Sequence, residues 1–229
     1  MLDTYDFQLK LVVIKLSLIQ CWLIIVVMIN LAYVKGGEMV KEEVNYVLVL
    51  AENQRMETKR LVLRPVVLED APDMFEYASD EENVEFVFPR HHSVEDTRIN
   101  IAKYFMENPL GKYGLELKES KKLIGTVDLR ISEEHASAEV GYTLNKAYWG
   151  QGYVPEACEA LLELGFLKCY LFRIASKHDI RNPRSGRVME KIGMQKEGLI
   201  PNARIHKGQS VTDVIRGITI DEWKKRNEI

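Results

Sequence analysis

A short glycine-containing segment, Tyr-Trp-Gly-Gln-Gly-Tyr-Val-Pro at residues 148–155, constrains the fold more than any other part of the chain. Its two glycines, Gly150 and Gly152, allow the backbone to turn sharply and to approach a ligand with no Cβ in between. Pro155 suits a first helical turn, and residues 156–167 carry apolar side chains at helical spacing, so we predict that a helix begins here. The unpaired N–H groups and the positive dipole end of that helix would bind a pyrophosphate without a basic side chain.

The neighbouring sequence distinguishes this corner from an ordinary glycine turn. Residues 138–144 alternate as a strand before it, and a short apolar strand is predicted after the helix at residues 172–176. A dinucleotide-binding fingerprint would need a third glycine and an acidic residue after the next strand, whereas a P-loop would need Gly-Lys-Ser or Gly-Lys-Thr. Neither motif is present in the sequence, so these two classes of nucleotide-binding protein are excluded.

Hydrophobic periodicity in the rest of the chain predicts an alternating α/β order. Strands are predicted at residues 60–64, 113–117, 123–131 and 138–144, and helices at residues 68–79 and 94–107, the second of them capped by Ser93. The pattern predicts a mixed, largely antiparallel sheet with helices on both faces. Residues 44–50 are apolar and are interpreted either as a linker or as an additional strand.

Composition limits the number of domains and the kinds of partner. With 229 residues, 46% of them hydrophobic and 28% charged, the chain suits one globular domain and an additional segment. A net charge of −3 gives no sign of the clustered basic surface that binds nucleic acid, so no nucleic-acid partner is expected. Three cysteines without Cys-x-x-Cys spacing and five scattered histidines predict no disulfide framework, no metal site and a reducing, cytoplasmic location.

The additional segment is residues 1–55, whose composition differs from the rest. Residues 16–34 contain no charged side chain and are about as long as a helix that crosses a bilayer core of ~30 Å, so a membrane tether with the main domain in the cytoplasm is one interpretation. The other is that Met1 is not the true start, because residues 35–38 (Lys-Gly-Gly-Glu) could be encoded by a purine-rich ribosome-binding site. Both interpretations stay open. The main domain is predicted to span residues 56–229.

The glycine segment also resembles a known family. Trp149, Gly152 and Val154 occupy the places of the Arg/Gln-x-x-Gly-x-Gly/Ala acetyl-CoA loop of the GCN5-related N-acetyltransferase (GNAT) superfamily, with valine where Gly or Ala is usual. The Tyr-Trp-Gly-x-Gly-Tyr run is similar to the branch of ribosomal-protein N-terminal acetyltransferases. Three further stretches resemble that branch's opening strand, late helix and closing strand, at residues 56–65, 182–193 and 217–223. The resemblance therefore covers the whole predicted main domain.

The resemblance implies a fold, a reaction and a co-substrate. A GNAT enzyme transfers the acetyl group of acetyl-CoA to a primary amine by direct attack in a ternary complex, at a point where two neighbouring strands of its sheet splay apart. The acceptor implied here is a protein N-terminal amine. The alternatives are a small-molecule amine, such as a polyamine, an amino acid or an antibiotic, and an inactive CoA-binding sensor module. The resemblance implies no metal and leaves a homodimer open.

The resemblance also implies the binding and catalytic residues. The candidates for binding acetyl-CoA are Val140, Gly141, Tyr142, Trp149, Gly150, Gln151, Gly152, Tyr153, Val154, Asn182 and Ser185. Backbone N–H groups of residues 140–142 are the candidate oxyanion donors, and Gly141 is interpreted as the mark of a β-bulge. Glu139 is the candidate general base, with a solvent-facing strand position as its alternative.

The proton donor for the departing thiolate has two candidates. Relatives often carry a tyrosine on the closing strand, where this chain has Arg216, so Ser185 and Tyr142 are both left open. Asn182 is also well suited to cap the helix that follows it. The pair His91-His92 lies in a loop that borders the acceptor pocket in the family, although exposed positions are typical of histidines in loops.

Overall fold

A computed structural model describes residues 44–228 of the chain. Both interpretations of residues 16–34 therefore concern a segment outside the described residues. Within the described part of the chain, no helix is long and apolar enough to cross a membrane.

The described residues form one eight-stranded sheet. Its strands are β1 (Met56–Glu57), β2 (Leu61–Arg64), β3 (Lys112–Leu117), β4 (Leu123–Ser132), β5 (Ser137–Leu144), β6 (Arg173–Asp179), β7 (Gln195–His206) and β8 (Gln209–Thr219). The order across the sheet is β1-β2-β3-β4-β5-β6-β8-β7, and every neighbouring pair is antiparallel except β5 with β6. The predicted mixed, largely antiparallel sheet is confirmed.

The structure has helices at both of the places where periodicity predicts them before β3, residues 68–79 and 94–107. The helices are α1 (Tyr46–Glu52), α2 (Ala71–Ala78), α3 (Glu81–Val84), α4 (Val94–Asn100), α5 (Tyr153–Glu163), α6 (Pro183–Lys191) and α7 (Ile220–Asn227). Helices α4 and α5 each continue as a π-helical turn, Ile101–Met106 and Leu164–Lys168, which accounts for the longer helices predicted there. The predicted cap is also confirmed, since the Ser93 hydroxyl accepts a hydrogen bond from the Asp96 N–H at 3.0 Å.

Helices pack on both faces of the sheet, as the pattern predicts. Thr126 and Val127 are consecutive on β4, and successive strand side chains point to opposite faces. Thr126 is hydrogen-bonded to Tyr77 of α2, whereas Val127 packs in the core cluster that contains Leu161 of α5 and Trp223 of α7. Helices α2 and α5 therefore cover opposite faces.

Two stretches differ from the prediction because capping groups start helices there. Residues 44–50, interpreted as a linker or a strand, lead into α1, whose N-cap Asn45 accepts a hydrogen bond from the Leu48 N–H at 2.9 Å. Residues 217–223, predicted as a closing strand, divide at Thr219, whose capping box with Glu222 begins α7. The edge strand β7 was not predicted, since most of its side chains are exposed and do not alternate in polarity.

Candidate active site

Strands β5 and β6 lie side by side only at their first residues. Their parallel pairing ends at Glu139 and Ala175, although both strands continue for several residues. At the start of the gap, the Ser176 hydroxyl donates a hydrogen bond to the Val140 carbonyl at 2.8 Å. The strands therefore diverge beyond Glu139, and the predicted splay is confirmed.

The glycine loop joins β5 to α5 with two residues in the left-handed region. Gly150 and Gly152 have φ values of +78° and +82°, and Gly152 is the N-cap of α5. A Cβ added at Gly152 would lie 3.6 Å from Arg60 Nη2, and one added at Gly150 would meet no atom within 4 Å. The backbone conformation, rather than a lack of space, therefore requires glycine at these positions.

The first turn of α5 carries the N–H groups expected to meet a phosphate. The first intrahelical hydrogen bond runs from the Glu156 N–H to the Gly152 carbonyl at 3.2 Å. Pro155 has no N–H, so the amides of Tyr153 and Val154 are the free donors of this turn. The Val154 side chain is buried in the core at 5% exposure, so the valine in this place does not cover the loop surface.

Arg60, immediately before β2, holds the loop and the helix together. Its guanidinium donates to Glu156 Oε2 at 2.6 Å and to the Gln151 carbonyl at 2.9 Å, and it lies 4.1 Å from the centroid of the Tyr153 ring. Glu156 also accepts hydrogen bonds from the Arg60 backbone and the Thr58 hydroxyl, at 2.7 and 2.6 Å. Burial acts to raise the pKa of Glu156, but these hydrogen bonds hold it below its ordinary value. Arg60 thus compensates the negative charge of Glu156, the one acidic side chain in the first turn of α5.

One cleft of about 1570 Å³ joins the loop, the gap between the strands and the start of α6, and every predicted site residue except Gln151 lines it. The Gln151 side chain instead donates to the Ala147 carbonyl at 3.3 Å. The Trp149 indole N–H donates to the Leu144 carbonyl at 2.9 Å, and its ring lies 4.6 Å from the Arg184 guanidinium. Trp149 therefore fixes the end of β5 at the loop.

The two candidate proton donors contact each other. The Tyr142 hydroxyl lies 2.8 Å from Ser185 Oγ and 2.8 Å from the Ser185 carbonyl oxygen. Burial raises the pKa of Tyr142 well above its ordinary value, although the hydrogen bond with Ser185 acts in the opposite direction. Asn182 Oδ1 accepts the Ser185 N–H at 3.2 Å and so caps α6 as predicted. Arg216 is paired with Glu190.

Glu139, the candidate base, is paired with two cations. Its carboxylate oxygens lie 2.7 Å from Arg130 Nη2 and 3.2 Å from Lys177 Nζ. Burial acts to raise the pKa of Glu139, but the two cations outweigh it and hold the pKa below its ordinary value. A carboxylate stabilised as an anion in this way is a weak proton acceptor. The role of Glu139 as base stays a prediction, and this geometry weighs against it.

Asp128 on β4 is a further carboxylate that lines the cleft, and the sequence gives no sign of it. It lies opposite Gly141 in the strand register, where the β4–β5 pairing runs without a shift, so the predicted bulge at Gly141 is absent from this pair. A Cβ at Gly141 would lie 2.7 Å from Arg130 Nη1 and 2.8 Å from Asp128 Oδ1, so the glycine makes room for both of these side chains. Asp128 pairs with Arg130, and its Oδ2 lies 3.1 Å from the Tyr104 hydroxyl. Burial raises the pKa of Asp128 despite both partners.

The two loop histidines have different environments. His91 lines the cleft, is 7% exposed and has its Nδ1 2.9 Å from the Thr97 hydroxyl, so the exposed position typical of loop histidines is wrong for this residue. Burial lowers the pKa of His91, although the charge of Asp96 acts in the opposite direction. His92 is exposed. Among residues 44–228, no group of three or more His, Cys, Asp or Glu side chains is arranged to hold a metal ion.

Comparison with known proteins identifies the class of enzyme. Residues 60–195 match the family model described as "Acetyltransferase (GNAT) domain". The chain belongs to the GNAT family of acetyltransferases, which use acetyl-CoA as co-substrate. It is therefore an N-acetyltransferase.

Three relatives illustrate the match. The uncharacterized N-acetyltransferase YnaD of Bacillus subtilis (strain 168) is 33% identical over 168 residues, which cover 72% of this chain and 97% of the relative. The [Ribosomal protein uS5]-alanine N-acetyltransferase of Escherichia coli (strain K12) is 24% identical over 181 residues, 74% of this chain and 92% of that enzyme. The crystal structure of a GNAT-family acetyltransferase from Bacillus anthracis is 27% identical, with a TM-score of 0.67 over 73% of this chain and 99% of that one.

Proposed function

We propose that this N-acetyltransferase acetylates the N-terminal α-amine of a protein. The observation that carries the proposal is the extent of the cleft, which continues from Val154 at the glycine loop to Arg204 on the edge strand β7. A cleft of this extent suits the first residues of a polypeptide beside acetyl-CoA. The similarity to the E. coli enzyme that acetylates an alanine of ribosomal protein uS5, over 92% of its length, supports the same acceptor class.

The proposed binding of acetyl-CoA follows from the donors at the glycine loop. The pyrophosphate would accept hydrogen bonds from the N–H groups of Tyr153 and Val154 at the positive end of the α5 dipole. Arg60 supports this arrangement, because its contacts fix the loop carbonyl of Gln151 and compensate the charge of Glu156. The thioester would then extend into the gap between β5 and β6.

The direction of the β5 backbone supports Tyr142 as the oxyanion donor. The Val140 carbonyl points toward β6, since it accepts the hydroxyl of Ser176. Alternate residues of a strand direct their N–H and C=O groups to the same side, so the Tyr142 N–H is directed toward the gap as well. An N–H at that position would stabilise the charge that develops on the acetyl oxygen.

The proposed reaction is direct attack of the neutral amine on the thioester carbon. The new C–N bond forms, the C–S bond breaks, and the thiolate of CoA leaves. Tyr142 and Ser185 would together stabilise that thiolate with a hydrogen bond and return a proton to it, because each hydroxyl can donate to the other.

The test compares acceptors with the full-length wild-type protein. Thiol release from acetyl-CoA is measured with peptides that begin with Ala or Ser, and with a small-amine panel of spermidine, free amino acids and an aminoglycoside. Matched peptides with a blocked N-terminus and an internal lysine are the control. We expect kcat/KM at least about tenfold higher for the free peptides, with mass spectrometry locating the acetyl group on the α-nitrogen.

Two results would contradict the proposed acceptor. A small amine that is used well while peptides are not would make the protein a small-molecule acetyltransferase. Acetyl-CoA binding by calorimetry without turnover of any amine would make it a sensor module.

A further inference from the structure

Two of the carboxylates that line the cleft, Asp128 and Glu139, differ in their environments, and the difference bears on which of them is the base. We infer that Asp128, rather than Glu139, accepts the proton of the incoming ammonium, and that this ammonium takes the place where the Tyr104 hydroxyl now contacts the carboxylate. The inference rests on the proposed acceptor only in that it needs a primary amine. It holds equally for a protein N-terminus and a small molecule.

Position is the first argument. Asp128 is opposite Gly141, and its two oxygens lie 2.8 and 3.1 Å from where a Gly141 Cβ would be. Its carboxylate is therefore packed against the β5 backbone one residue before Tyr142, the proposed oxyanion donor. A base must lie close to the nitrogen that attacks the thioester, and Asp128 lines the same cleft as Tyr142.

The hydrogen bond with Tyr104 is the second argument. The phenol donates to Asp128 Oδ2 at 3.1 Å from the π-helical turn after α4, and Tyr104 also lines the cleft. It is 43% exposed, so it can be displaced. An ammonium that replaces the phenol would gain a charge-assisted hydrogen bond, which is stronger than the neutral one it removes.

The charges around both carboxylates are the third argument. Asp128 faces Arg130 on its own strand and Lys112 on β3, with the buried thiol of Cys158 nearby. Arg130 is shared with Glu139, which has Lys177 to itself. At Asp128 burial outweighs these cations and raises the pKa, whereas at Glu139 the two cations outweigh burial and lower the pKa. Of the two carboxylates, Asp128 is the stronger proton acceptor.

The step balances without a further reactant. The ammonium gives one proton to the Asp128 carboxylate, and the freed electron pair on nitrogen attacks the acetyl carbon. As the C–S bond breaks, the thiolate receives one proton through Tyr142 and Ser185, and the second proton that the nitrogen loses replaces the one given up by this pair of hydroxyls. Asp128 then releases its proton to solvent, so one proton is released for each acetyl group transferred.

The experiment measures the pH dependence of three variants of the full chain. Asp128→Asn should lower kcat at neutral pH by roughly 10²-fold or more while acetyl-CoA affinity is retained, and the deficit should shrink at high pH, where more amine arrives neutral. Tyr104→Phe should move the acidic limb of kcat/KM to higher pH, because the hydrogen bond from the phenol lowers the pKa of Asp128 and its loss would raise that pKa. Glu139→Gln, the matched comparison, should lose less activity than Asp128→Asn.

Three results would overturn the inference. If Asp128→Asn retains near wild-type kcat, or if Glu139→Gln shows the larger loss, Asp128 is not the base. If Asp128→Asn loses acetyl-CoA affinity and thermal stability in parallel with rate, its role is structural. If the wild type acetylates no amine at all, this inference and the proposed function fail together. If the wild type and the Asp128→Asn variant are both active, only the assignment of Asp128 as base is overturned.

Discussion

Asp179 on β6 lies directly opposite Asp213 on β8, and both carboxylates are buried. Like charges at facing positions of two strands repel each other. Here each has its own cation, with Arg181 2.6 Å from Asp179 and Arg204 3.1 Å from Asp213. Asp179 and both arginines line the cleft. This network therefore fixes the part of the cleft wall that β6 and β8 form.

The first prediction concerns the stability that this network contributes. The hydrogen bonds of Arg181 hold the pKa of Asp179 below its ordinary value, against the effect of burial. The stability that the ionised Asp179 carboxylate contributes is therefore present above the unfolded-state pKa of about 3.9, and it is lost as the pH falls through the lower folded-state pKa. Asp179→Asn should lower the melting temperature by several degrees at pH 7, with a difference that narrows below about pH 4.

Thermal melts from pH 3 to 8 would check it. Asp221→Asn, at an exposed aspartate on α7, is the control and should change the melting temperature at pH 7 less than Asp179→Asn does. A destabilisation of Asp179→Asn that is constant across the range would show that the carboxylate charge is not what matters.

The second prediction concerns the contact between Tyr142 and Ser185. Because their hydroxyls are 2.8 Å apart, we expect them to act as a unit on the departing thiolate. Tyr142→Phe and Ser185→Ala should each lower kcat by roughly 10- to 100-fold, and the double variant should lose little more than the worse single one. Since burial raises the pKa of Tyr142 above about 10, its titration should give no alkaline limb below that pH. Additive losses would mean that the two hydroxyls act separately.

The third prediction concerns Gly152. Its φ of +82° is costly for a β-branched residue, and a side chain there would stand where the pyrophosphate approaches the backbone. Gly152→Val should weaken acetyl-CoA binding by at least ~2 kcal/mol, about 30-fold. Calorimetry on folded protein measures it, with Gly198→Val as control, because a Cβ at Gly198 meets no atom within 4 Å. Unchanged affinity in Gly152→Val would remove the pyrophosphate assignment.

Short-range signals explain which parts of the fold and site could be predicted from the sequence. Gly150, Gly152 and Pro155 specify a turn and a helix start by their own backbone preferences, and Ser93 specifies a cap through a residue three positions on. Such signals act within a few residues, so the sequence displays them directly. Thr219 caps α7 through the same kind of short-range signal. This helix was not predicted, because the resemblance favoured a strand at residues 217–223.

Long-range contacts explain what could not be predicted. Arg60 reaches the Gln151 carbonyl across 91 positions of the chain, and no periodicity records such a contact. Asp128 has the ordinary appearance of a polar residue in an alternating strand, and its raised pKa arises only from burial in the folded cleft. The same holds for Glu139, whose two cations come from different strands.

The last prediction tests the domain boundary at Met56. The compact unit of the structure begins earlier, at Asn45, and Leu50 of α1 is buried in the main core cluster. Asn53, just after α1, accepts a hydrogen bond from the Tyr113 hydroxyl at 3.1 Å and one from Lys168 at 2.6 Å. A fragment of residues 56–229 should still fold and bind acetyl-CoA, but with about 2 kcal/mol less stability than a fragment of residues 45–229, the value of one buried leucine side chain.

Denaturant unfolding and calorimetry of both fragments would measure the difference, with Leu50→Ala in the longer fragment as the matched control. That variant should reproduce most of the loss if burial of Leu50 is its cause. Equal stability of the two fragments would show that α1 contributes nothing to the fold. If the shorter fragment aggregates while the longer one folds and binds acetyl-CoA, the domain boundary moves from Met56 to Asn45. The contacts of residues 45–55, such as the Asn53 carbonyl that accepts the Tyr113 hydroxyl, would then be essential for folding.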